Sequence, residues 1–159
     1  IANRLRVPAG GYTFQEIRPS YVFGTQWKVS GTVQYQQGTF YGGTRKAVNY
    51  TSGKLRLSPQ LWVFPGLSVN WVRLPQGEVA TKVASVRGLY TITPRMWVGT
   101  LSQYNSSTQS LSSNVRLRWE YRPGSELFVV YNEGRNTLNN GPGLDNRALI
   151  LKITRLFQF

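Results

Sequence analysis

Alternation of apolar and polar positions dominates the chain. From Val115 to Arg122 every odd position is apolar (Val115, Leu117, Trp119, Tyr121) and every even one is charged (Arg116, Arg118, Glu120, Arg122). A period of two marks a strand with one oily and one ionic face, whereas a helix would space its apolar residues by three or four. Trp27 to Gln36 repeats the pattern with Lys28, Ser30, Thr32, Gln34 and Gln36 on the polar side. Near the end, Leu149, Leu151, Ile153, Phe157 and Phe159 share a face that Arg155 interrupts. The pattern predicts nine strands, over 12–23, 27–37, 44–62 with a bulge at Ser52-Gly53, 67–73, 79–92, 96–104, 114–122, 126–132 and 146–159.

The connections predict how these strands are ordered. Gly24-Thr25, Pro65-Gly66, Thr93-Pro94-Arg95 and Arg122-Pro123-Gly124-Ser125 have tight-turn chemistry. Between them fall longer stretches, Gln37 to Gly43, Leu74 to Glu78, Asn105 to Ser113 and Glu133 to Asn146. Short and long connections alternating along an antiparallel meander predict an all-β, up-and-down transmembrane barrel with tight turns at one end and loops at the other. Aromatic residues gather near both ends: Tyr21, Phe23, Trp27, Trp62, Phe64, Tyr90, Trp97, Trp119, Tyr121, Phe128, Phe157 and Phe159 by the short turns, and Tyr35, Phe40, Tyr41, Trp71, Tyr104 and Tyr131 by the loops. Two such girdles, about one tilted strand apart, suit the ~9–11 residues that cross a bilayer. An odd strand count predicts a C-terminal part of a larger barrel, with Ile1 to Arg6 as the tail of a preceding strand and Val7 to Gly11 as an external loop.

Composition narrows the chemistry. There is no histidine and no cysteine, so no Ser-His-Asp triad, catalytic thiol or usual zinc site can be built. The six carboxylates are Glu16, Glu78, Glu120, Glu126, Glu133 and Asp145, and none is placed as a glycosidase pair requires. We therefore expect no enzyme, no metal and no cofactor. Nineteen Lys and Arg give a formal net charge of +13 over 159 residues, spread from Arg4 to Arg155 without a dense basic run. That spread argues against a nucleic-acid-binding tail. No stretch approaches the ~18 apolar residues of a membrane helix, so any crossing is by strands.

The segment NVRLRWEYRPGSELFVVYNEGR from Asn114 to Arg135, with Thr93-Pro94-Arg95, Gln103-Tyr104-Asn105 and the Phe159 ending, resembles the C-terminal barrel of a group of bacterial proteins that carry an N-terminal carbohydrate-binding family-9-like module. The resemblance extends over nearly the whole chain. It implies an outer-membrane barrel of unknown activity and carries no catalytic residues. The last residues, Leu151 to Phe159, are also similar to the C-terminal insertion signal of outer-membrane proteins, an aromatic end preceded by apolar residues at every second position.

If the odd face of Val115 to Tyr121 meets lipid, the even face lines a lumen. Lys28, Lys54, Arg56, Arg116, Arg118, Arg122 and Lys152 are then the candidate lumen-lining, anion-contacting residues, and Trp27, Trp62, Trp97, Trp119, Tyr121, Phe157 and Phe159 the candidate membrane-interface aromatics. Two readings of that basic face stand. It lines a passage for an anionic solute or glycan, or its Arg and Glu residues pair across strands and conduct nothing. The expected partners are outer-membrane lipid and lipopolysaccharide, and the rest of a larger barrel or a second chain, with the bacterial outer membrane as location. The rival is a soluble basic barrel that binds nucleic acid or glycan, which requires aromatics on the same face as Arg116 and Arg118.

Overall fold

The computed structural model describes residues 9–138 and 143–157. All of its regular structure is strand: β1 (Glu16–Ile17), β2 (Ser20–Phe23), β3 (Val29–Phe40), β4 (Gly43–Arg56), β5 (Leu61–Leu74), β6 (Gly77–Thr93), β7 (Met96–Asn105), β8 (Ser110–Arg122), β9 (Ser125–Asn136) and β10 (Gly143–Thr154). The ten form one antiparallel meander in the order β1-β3-β4-β5-β6-β7-β8-β9-β10, with β2 beside β1 on the same flank of β3. The predicted all-β, up-and-down architecture is therefore present. Among the described residues the sheet is not closed, since β10 has β9 as its one partner there and β1 and β2 have β3 as theirs.

The first predicted strand is split in two by Arg18-Pro19. Pro19 has no N–H for the ladder, but its carbonyl accepts from the Tyr35 amide at 3.0 Å, so both pieces remain on β3. The bulge expected at Ser52-Gly53 is real. The β4–β5 register skips between Tyr50 and Leu55, and Ser52 has φ of 54°.

That bulge also explains a correction. Pro65-Gly66 is not a turn but the interior of β5. Proline is tolerated within a sheet only at an edge or a bulge, and Pro65 lies opposite the skipped stretch of β4, where no ladder bond is lost. The turn lies earlier, at 57–60. There the Ser58 hydroxyl accepts from the Gln60 and Leu61 amides at 3.2 and 3.0 Å, and Pro59 occupies the position that favours a fixed φ.

The expected alternation of short and long connections is also corrected. The stretches 37–43 and 74–78 contract to two-residue turns, Tyr41-Gly42 and Pro75-Gln76, as tight as Pro94-Arg95 and Pro123-Gly124 at the other end. Tyr41 and Gly42 have φ of 48° and 75°, the paired positive values of a type I′ hairpin, whose twist matches the strands. A tyrosine accepts this geometry within a cluster of rings, its centroid lying 4.6 Å from Phe40, 5.3 Å from Phe14 and 5.2 Å from Tyr12. Of the loop predicted from Glu133 to Asn146, the strands reach Asn136 and resume at Gly143. Ile1 to Pro8, Asn139 to Pro142 and Phe159 lie outside the described residues.

Among the described residues the sheet has almost no core. Ala47 and Leu74 are its buried hydrophobic residues, and no large side chain is fully buried. A sheet with one oily face must bury it against something, and the described residues form no second layer.

Candidate functional site

Paired residues share a face, so the registers sort every strand. Val115, Leu117 and Trp119 of β8 pair with Thr100, Val98 and Met96 on one side and Tyr131, Val129 and Leu127 on the other, continuing to Leu149, Leu151 and Ile153 of β10. The same face runs back through Gly88 and Tyr90 to Val63 and Leu61, and then to Leu55 and Val29. No charged residue interrupts this band on any strand. On β10 it is open to the surroundings, with Leu149, Leu151 and Ile153 at 71%, 62% and 65% exposure.

Charge returns along one oblique line. Followed along the hydrogen-bonded rows onto β6, Lys46 of β4 falls level with Ala80, Lys82 holds its own place, and Glu133 of β9 with Arg147 of β10 falls level with Val86. The line therefore advances about one residue per strand. The turns at the opposite end advance at the same rate. Projected onto β8, the starts of β3, β5, β7 and β9 (Val29, Leu61, Met96 and Ser125) fall at Val115, Leu117, Trp119 and Arg122. One residue of stagger per strand is the shear of a barrel whose strands tilt by about 36°. Seen in that frame, the apolar band has level edges and constant height. On β6 it occupies the eleven residues of 83–93 between Lys82 and the Pro94-Arg95 turn, the ~9–11 needed to cross hydrocarbon.

The opposite face carries the predicted basic residues. Lys54, Arg56, Arg116, Arg118 and Lys152 all lie on it, and Arg87, which the sequence reading missed, joins them from β6. Allowing for the stagger, they sit at one level within about two residues either way, in the half of the sheet nearer the 24–28 and 57–60 turns. Four of the six cations lie on a ring of the same face. Lys54 Nζ is 4.4 Å and the Arg56 guanidinium 5.2 Å from the Trp62 centroid, Arg87 is 4.3 Å from Phe64, and Arg118 is 5.8 Å from Phe128. Among the described residues Arg118 alone of the six is held by a carboxylate, that of Glu126. With Glu120 and Glu126 as the acids at this level, the girdle keeps a formal excess of four positive charges. Arg116 donates to the Asn114 carboxamide at 2.7 Å. Farther from these turns the polar face becomes mostly uncharged: Arg45 donates to Asn70 at 3.0 Å, Asn70 to Ser68 at 3.2 Å and Ser68 to Asn49 at 2.7 Å.

Two candidates stand apart. Lys28 is in the 24–28 turn, where it lines a cavity of about 430 Å³ with Trp27, Lys54, Arg56 and Trp62. Arg122 ends β8 beside its turn.

The aromatic prediction divides. Trp119 and Tyr121 are on the apolar face near the turn end, 6.1 Å apart in an edge-on pair, with Tyr90 at the same border. Trp62 and Trp97 are on the other face: Trp62 pairs with Leu89 and Arg56, and Trp97 with Arg118. Those two indoles belong to the basic girdle: β5 and β7 begin with consecutive apolar residues, so both faces receive apolar side chains there and the indole falls on the basic one. Phe157 lies beyond the end of β10 with the Arg155 guanidinium 4.7 Å above its ring. At the opposite border Tyr35, Trp71, Tyr104 and Tyr131 all lie on the apolar face, as a second belt requires.

No group of His, Cys, Asp and Glu among the described residues can hold a metal ion. Compared with protein-family models, with curated proteins and with solved structures, the chain matches none.

Proposed function

We propose that the chain is part of the wall of a bacterial outer-membrane β-barrel, a non-enzymatic pore, anchor or platform of porin-like build with a basic lumen. The observation that carries this reading is the charge-free apolar band, which crosses a sheet without a core at the slope of the strand stagger. Its partners are then outer-membrane lipid and lipopolysaccharide on the apolar face, and water with anionic solutes or glycan on the basic one. Assigning the faces the other way would set Lys54, Arg87 and Arg116 in hydrocarbon at about 2–4 kcal/mol for each cation near the midplane. The likeness of Asn114 to Arg135 to the barrels that follow a carbohydrate-binding family-9-like module supports the same reading.

The open edges call for more strands. Unpaired backbone groups cannot face hydrocarbon. Because the meander leaves β10 parallel to β1 and β2, antiparallel closure takes an odd number of additional strands, from the rest of a larger barrel or from a second chain. The test is solubility. The protein is expected to require detergent and to resist extraction from membranes by salt and alkali, and a monodisperse preparation without detergent overturns the proposal.

One observation favours the rival. Trp62, Phe64, Trp97 and Phe128 do share a face with Arg116 and Arg118, as a soluble nucleic-acid or glycan binder requires. Three of those rings lie under cations, however, and base stacking needs an open ring face. The rival also leaves the apolar band uncovered. Saturable binding of a single-stranded oligonucleotide by detergent-free protein would establish it.

A further inference from the structure

We infer that the cavity between the 24–28 and 57–60 turns is a binding station for a soluble oxyanion of the phosphate class. It is lined by Lys28, Lys54 and Arg56 and flanked by the indoles of Trp27 and Trp62, and no carboxylate contributes to it. Lys54 and Arg56, two residues apart on one strand, share a single ring at 4.4 and 5.2 Å. Two like charges over one indole repel each other, and the ring's quadrupole attracts both without neutralising either. A tetrahedral oxyanion supplies the missing charge, with arginine presenting a planar pair of donors and lysine a point charge. The hydroxyls of Ser30 and Ser58 in the same wall add neutral contacts. Here Lys28 of the turn joins two cations of the girdle in one cavity wall that holds no acid.

The station lies on the face that the proposed function assigns to the lumen and rests on that reading only for its route of access. The test is a titration of Trp fluorescence in neutral detergent micelles with inorganic phosphate, using potassium chloride at matched ionic strength as reference. We expect a saturable change with phosphate that chloride does not reproduce. It should be lost in the Lys54→Gln/Arg56→Gln double variant and in Trp62→Phe, kept in Arg56→Lys, and kept in Arg45→Gln, which removes a cation from the same face at the far end. Lys54 and Arg56 are exposed, so their neutralisation opens no core cavity, and unchanged strand content by circular dichroism accompanies the expected result. A response equal to chloride, or unchanged in the double variant, overturns the station and leaves the barrel reading intact. Stronger binding of a short-chain phosphatidic acid than of inorganic phosphate overturns the soluble ligand in favour of a lipid headgroup. Protein that binds phosphate yet needs no detergent refutes the barrel and retains the station.

Discussion

The two faces of this sheet are built from the same strands and meet opposite requirements. On one, Val29, Val63, Val98, Leu117, Val129 and Leu151 succeed one another without a charge. On the other stand Lys54, Arg56, Arg87, Arg116, Arg118 and Lys152, the first three and Arg118 over aromatic rings and Arg116 on an amide of the same face. In a soluble sheet the oily face packs on a second layer and the charged face meets water. Among the described residues no second layer covers the oily face, and under the proposed function lipid supplies the apolar phase while the cation-bearing side keeps water. Aromatic residues occur on both faces and differ in setting: on one they stand at the borders of the apolar band, where the proposed function puts the membrane interface, and in the girdle they brace cations.

The sharpest way to break this contrast is to move a charge across it. Val98 and Leu101 are three residues apart on β7 and on opposite faces. Val98→Arg is expected to cost about 2–4 kcal/mol in a bilayer, whereas Leu101→Arg, on the polar face and already 42% exposed, should stay within about 0.5 kcal/mol. Equilibrium unfolding in lipid vesicles separates them, and equal costs would refute the assignment of faces.

Next in size is the bulge region. Gly31 has φ of +148°, and a Cβ there would come within 2.6 Å of the Tyr50 ring. Gly31→Ala should cost about 1–3 kcal/mol through backbone strain alone, read in the same assay. Tyr50→Phe removes the bond its hydroxyl donates to the Ser30 carbonyl at 2.8 Å, for a loss of about 1 kcal/mol. The smallest effect belongs to Arg73 and Glu78, an ion pair at 2.5 Å with both side chains well exposed. Glu78→Gln should change stability by less than about 1 kcal/mol, and less still in high salt.

Legibility followed the contrast between neighbours. In β8 each polar position is charged and each apolar one oily, so the faces of Arg116, Arg118 and Trp119 were plain. At Leu61-Trp62-Val63-Phe64 both parities are apolar, and alternation cannot say which residues join the apolar band. Trp62 and Trp97 were therefore placed by proximity to a turn and not by face. Arg87 was missed for the same reason, although its odd separation from Lys82 was a usable signal, because it puts the two cations on opposite faces. Pro65-Gly66 has turn chemistry, and only its position opposite the β4 bulge keeps it in a strand.

The sequence by itself determined the class of element, the nearly correct number of strands, the bulge at Ser52-Gly53 and the absence of thiol and imidazole chemistry, because these depend on local period, local backbone preference and composition. The tertiary structure alone decided which faces join, where the hairpins turn and that the cations of four strands come to one level. Those outcomes depend on register, and a shift of one residue in register moves every side chain of a strand to the other side.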